Sequence, residues 1–151
     1  MISNKTKYGL HALIYLSERY NAGPSLIADL AQQENIPKKF LELILLELKR
    51  QGILESKKGK GGGYRLAKHP REIKLGQVIR ILDGPLAPVS CVSQTAYKRC
   101  QECSDENSCG IRSVMKDVRD AMANILDNTS LEEVLLRKQK ANSEMTANYQ
   151  I

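Results

Sequence analysis

The sequence predicts a mainly α protein with one small β-hairpin, a winged helix-turn-helix domain followed by a long helix. Three observations predict it. Apolar residues recur at helical spacing between turn residues up to Gly52. Two short strand-like segments then flank a tip rich in lysine and glycine, Lys57 to Gly63. After Cys109 a fresh run of apolar residues at intervals of three and four begins, the mark of an amphipathic helix.

The first helix spans Asn4 to Tyr20, with Tyr8, Ala12, Tyr15 and Leu16 as its stripe and Leu10, Leu13 and Ile14 widening it. Asn21-Ala22-Gly23-Pro24 ends it with turn residues,. Ser25 reads as the N-cap of a short helix, Leu26 to Gln33, whose Ile27, Leu30 and Ala31 face inward,. Glu34-Asn35-Ile36 is a tight connection, and Pro37 suits the opening turn of the next helix,. That helix buries Phe40, Leu41, Ile44, Leu45 and Leu48, and Gly52 terminates it,. Lys38, Lys39, Glu42 and Leu43 lie on or beside its other face. Two such helices form a helix-turn-helix, whose second helix enters the major groove N-terminus first. An ordinary helical hairpin would show the same pattern.

The hairpin that follows separates the two readings. Ile53 to Ser56 and Tyr64 to Ala67 are strands, and Lys57, Lys58 and Lys60 punctuate a glycine-rich tip. Such a tip is a wing, with lysines to pair phosphates and glycines to permit close backbone approach. A nucleotide-cradling loop would need a glycine-lysine motif opening directly into a helix, and none is present. Charge agrees with the wing. Residues 1–74 carry 14 Lys and Arg against 7 Asp and Glu, a net of +7, while residues 75–151 carry 9 against 10, a net of −1. A basic first half beside a near-neutral second half fits a nucleic-acid-binding domain joined to something else.

A further short helix carries Leu75, Val78, Ile79 and Leu82 and ends at Asp83-Gly84-Pro85. All four cysteines then fall between Cys91 and Cys109, with Cys100 and Cys103 between them. Thiols gathered this densely are metal or cluster ligands, or a redox device. Nothing in the sequence reads as a signal peptide or a bilayer span, so the expected location is cytoplasmic, where such a cluster is seldom a disulfide framework. The long helix bears Ile111, Val114, Met115, Val118, Met122, Ile125 and Leu126, with Arg112, Lys116, Asp117, Arg119 and Asp120 on its charged outer face. Its stripe could pack on its own domain or on the same helix of a second copy. Pairing as a homodimer is favoured, because helix-turn-helix proteins read two half-sites. Thr129-Ser130-Leu131-Glu132-Glu133 opens a last short helix, Leu131 to Arg137, followed by a polar, frayed tail,.

The expected organisation is therefore a DNA-binding domain over 1–84, a cysteine-rich sensor loop over 85–109, a dimerisation helix with its short successor over 110–136, and a tail over 137–151. No acid–base or nucleophile–histidine arrangement suggests an enzyme.

The local sequences resemble the bacterial regulator family that contains IscR, NsrR and CymR, which govern iron–sulfur assembly, nitric oxide stress and cysteine metabolism. The matching stretches are Lys7 to Leu13, Ile36 to Gly52, Gly59 to Leu66, Ile73 to Ile79 and Ile125 to Leu131. The resemblance implies a transcriptional regulator, acting mostly as a repressor on a palindromic operator in double-stranded DNA. It implies Lys38, Lys39, Glu42, Lys57, Lys58, Lys60, Tyr64 and Arg65 as DNA-facing residues. Several members hold an iron–sulfur cluster through three cysteines, which here align with Cys91, Cys103 and Cys109. The fourth ligand of one branch, a histidine, is replaced by Arg112, and that of another, an aspartate, by Lys7. Cys100 then completes an all-cysteine set for a 2Fe–2S or 4Fe–4S cluster. Zinc, or a metal-free thiol switch, are the alternatives.

Overall fold

The computed structural model describes residues 1–149. It contains six helices, α1 (Asn4–Glu18), α2 (Ile27–Gln33), α3 (Lys38–Arg50), α4 (Leu75–Asp83), α5 (Gly110–Asn128) and α6 (Leu131–Tyr149), and a hairpin of β1 (Leu54–Lys57) and β2 (Gly63–Leu66). The mainly helical class with a single hairpin wing is as the sequence predicts.

The core is aliphatic, as a chain with one Phe and no Trp requires. Leu13, Leu30, Leu41, Ile44, Leu45, Leu48, Ile53, Ile73, Val78 and Leu131 are fully buried and come from every helix but α5 and from two connections. Each Leu or Ile so buried contributes about 1.5–3 kcal/mol relative to exposure. Ser3 starts α1 by accepting from the Thr6 amide, and its own amide donates to the Asp83 carboxylate at 2.9 Å, tying the start of α1 to the end of α4. Gly9 lets the two helices close: a Cβ there would sit 2.4 Å from Leu82 Cδ1.

Ser25 does not cap α2, as the sequence suggests. The cap position is Leu26, without a side-chain bond. Ser25 instead exchanges two backbone hydrogen bonds with Tyr64, at 2.8 and 2.9 Å, an isolated antiparallel bridge beside the two-stranded wing. The exchange requires a glycine next door. Gly63 has φ +143°, and a Cβ on it would lie 2.1 Å from the Ser25 carbonyl oxygen. In the turn between α2 and α3, Asn35 adopts φ 52°, a conformation asparagine tolerates, and Ile36 drops into the core.

Several boundaries shift by one or two residues, and two further expectations fail outright. Phe40, expected in the core, is 41% exposed and meets Tyr8 edge-on at 5.8 Å; Leu41, Ile44, Leu45 and Leu48 already fill the buried face of α3. The last helix does not stop at Arg137. It continues through Tyr149, so the expected polar tail is helical up to there. Polar residues with good helix propensity extend a helix that tertiary contacts have already nucleated. Gln150 and Ile151 lie outside the described residues.

A backbone junction returns α5 and α6 to the domain. Lys74 and Ser130 form an antiparallel bridge, Leu75 N–H donates to the Thr129 carbonyl and Leu131 N–H to the Ile73 carbonyl, both at 3.0 Å. Ser130 and Glu133 form the capping box the sequence suggested,. Beside the junction Arg80 grips Asp127 with two bonds, 2.6 and 2.9 Å. That bond holds the Asp127 carboxyl below its usual range. A depressed carboxyl stabilises the fold above the ordinary aspartate value, and the benefit is lost as pH falls through the lower folded value. Urea unfolding against pH should show the parent exceeding Asp127→Asn near neutrality by no more than about 1 kcal/mol, since the pair is half exposed, and the two converging in acid. A difference unchanged at low pH would refute the assignment.

Candidate DNA-binding surface and cysteine loop

Pro37 is the cap residue of α3 and no side chain caps the first turn, so the leading N–H groups are free to meet phosphate oxygens. Lys38, Lys39 and Glu42 are exposed on that end, and Lys57, Lys58 and Lys60 are exposed on the wing. Among the described residues none of these six takes part in an ion pair. Five unneutralised cations thus stand on the two elements that a winged helix applies to DNA, with Glu42 beside them. The remaining two expected DNA-facing residues are engaged within the hairpin. Tyr64 is half-buried and joins the bridge to Ser25, while Arg65 pairs across the strands with Glu55. His69 caps the turn after the wing by accepting from the Arg71 amide at 3.2 Å.

The cysteine loop runs from a short turn at Ser90–Val92 to the start of α5. All four cysteines are free; Cys100 is exposed and Cys91, Cys103 and Cys109 are half-buried. In donor type they suit a cluster or zinc. In placement they do not: among the described residues no three Cys, His, Asp or Glu side chains converge on a metal-binding point. What the fold does join is the two ends of the loop. Cys109 caps α5, its sulfur accepting the Arg112 amide at 3.4 Å, while the Arg112 side chain donates to the Cys91 carbonyl at 3.3 Å. One turn pair further on, Arg119 donates to the Val92 carbonyl at 2.7 Å.

The sequence reading placed both arginines on the charged outer face of α5. The structure turns them onto the loop, because carbonyls in an irregular segment need donors and a helix running beside it can supply them. Their spacing of seven, which keeps both on one side of the helix, was the available signal. Within the loop, Cys100 donates its S–H to the Glu102 carboxylate at 3.3 Å, and this bond raises the thiol pKa.

The apolar stripe of α5 divides. Met115, Met122 and Leu126 are half-buried toward the chain, but Ile111 (71%), Val114, Val118 and Ile125 (62%) are exposed, and no residue of the helix is buried. No helix among the described residues is long and apolar enough to cross a membrane.

A helix-turn-helix with an unpaired basic wing, carrying a long amphipathic helix behind it, defines a DNA-binding regulator. Comparison with known proteins agrees. Residues 2–137 match the family model for Rrf2, described as iron-dependent transcriptional regulator. A Rhodobacter capsulatus HTH-type regulator named as rrf2-like is 40% identical over 138 residues, 89% of this chain and 92% of the relative. The solved structure of CymR, the global cysteine regulator of B. subtilis, superposes with a TM-score of 0.77 at 31% identity, covering 91% of this chain and 97% of that one. IscR from T. potens gives 0.74 at 27% identity over 93% and 90%. The chain belongs to the Rrf2 family: it is a helix-turn-helix transcriptional regulator and not an enzyme.

The Glu102 bond should make Cys100 slow to react despite its exposure, since the thiolate is the nucleophile. Glu102→Gln is expected to speed iodoacetamide labelling of Cys100 several-fold near neutral pH, read site by site in a mass spectrometer. Equal rates would mean that the carboxylate does not hold that proton.

Proposed function

We propose that this chain acts as a homodimeric repressor on a palindromic operator, with its DNA affinity set by the state of the Cys91–Cys109 loop. The unpaired lysines of α3 and the wing carry the DNA half of the reading. Lys38, Lys39 and Glu42 face base edges or the nearest phosphates, and Lys57, Lys58 and Lys60 grip the backbone. Tyr64 and Arg65 act from the wing strands, mainly by holding its shape. The exposed Ile111, Val114, Val118 and Ile125 support pairing of α5 with a second copy, because a stripe of that length left in water is costly and a twofold pair covers both stripes at once.

The sensory half rests on connection. Cys91 and Cys109 flank the loop and both are bonded to Arg112 in the first turn of α5. Any event that draws the two sulfurs together or apart is therefore felt at the start of the pairing helix. Cys91, Cys100, Cys103 and Cys109 are the residues whose chemistry would suit an iron–sulfur cluster or zinc, and a cluster would supply metal–thiolate bonds sensitive to iron supply and oxidants. The separated placement of the four thiols favours a second reading, in which thiol oxidation alone is the signal, and likeness to a cysteine regulator supports it.

Two measurements test these halves. Replacing Lys58 with Ala should weaken binding to all duplexes alike and reduce the slope of log affinity against log salt by about 0.9; altered sequence preference with an unchanged slope would overturn the backbone role. Protein purified without oxygen should contain iron and sulfide with visible absorption, lost in Cys100→Ser. Zinc alone would exclude the cluster, and neither metal would leave the thiol switch as the reading that stands.

A further inference from the structure

The outward face of α3 is unusually apolar for a helix bordered by cations. Opposite its buried stripe, at intervals of four, three and four, stand Lys39, Leu43, Leu46 and Arg50. Leu43 is 66% exposed and Leu46 36%, with Phe40 on the shoulder at 41%. None of the three belongs to the hydrophobic core cluster. A single exposed leucine needs no explanation. Here two leucines lie in one row on the element that the fold offers to the major groove, with Lys39 before them and Arg50 behind.

Base-edge chemistry limits what a leucine can do there. The major groove presents acceptors, amino donors and a single apolar group, the C5-methyl of thymine. Leucine has neither donor nor acceptor, so it gains nothing specific from guanine, adenine or cytosine edges and would leave their polar groups without water. Against a thymine methyl it buries apolar surface on both sides. The flanking Lys38, Lys39, Lys49 and Arg50 supply the charge that brings the helix to the phosphates on either side of the groove.

We propose that Leu43 is a specificity residue that reads the methyl group of one thymine in each half-site, with Leu46 closing the contact against water. This inference rests on the DNA-facing role of α3 proposed above, and its test separates the two. The full-length chain would first be used to enrich binding sites from a random duplex pool. Each thymine of the enriched site would then be replaced singly by deoxyuridine, which removes only the methyl. The expected result is one thymine per half-site whose methyl is worth about fourfold in affinity. Leu43→Ala should bind the uracil and thymine forms of that position equally, with its salt slope unchanged, since an exposed side chain is lost and no charge is. The uracil series on the parent protein needs no variant to fold. If no thymine shows a methyl effect, or if Leu43→Ala shows the same effect as the parent, the assignment to Leu43 is overturned. If no duplex is enriched at all, the DNA-facing reading of α3 itself fails, a different outcome from either.

Discussion

The architecture depends on the short backbone junction at Lys74 and Ser130. Without it, α5 would be an arm attached only through a cysteine-containing loop. With it, Leu75 and Leu131 each spend a backbone amide across the gap, and Leu131 fills a place in the core of the DNA-binding domain. The C-terminal end of α5 is fixed to that domain by the junction and the Arg80–Asp127 pair, while its N-terminal half is tied to the start of the cysteine loop by Arg112 and Arg119 reaching the carbonyls of Cys91 and Val92. Under the proposed sensory role, α5 is the element through which a change in the loop would reach α4.

The DNA-facing elements show a different economy. Among the described residues six of the 23 Lys and Arg find carboxylates: Lys5, Arg19, Arg65, Arg80, Arg119 and Lys138. The lysines at the head of α3 and on the wing tip do not. Leaving like charges unpaired on neighbouring elements is unfavourable for the isolated domain, and the polyanionic surface of DNA reverses the sign of that term. The apolar residues set among them would be equally out of place on an ordinary solvated helix. On the proposed reading of α3 and the wing, bound DNA would cover both the charge and the leucines.

Much of this was legible beforehand. The buried stripes of α1, α3 and α4, the hairpin with its lysine-glycine tip and the capping box at Ser130 all rest on local rules of spacing and turn chemistry, and they stand where those rules put them. The misreadings share a cause. Ser25 looked like a cap because serine before a helix commonly is one, but its backbone pairs with Tyr64 instead, with Gly63 leaving room for the approach. Phe40 looked like core because large aromatics are, but four aliphatic residues had already filled that face. Arg112 and Arg119 looked like a solvated surface because charged residues between apolar ones normally are.

The sequence by itself determined which elements form, which face of each is apolar and where charge and thiols concentrate, since helical periodicity, turn residues and composition act within a few residues. Only the tertiary structure decided which faces are left uncovered. Coverage depends on which distant segments pack there and on which carbonyls need donors. That is why Phe40 stays partly exposed beside a filled core face, and why the arginines of α5 serve the loop.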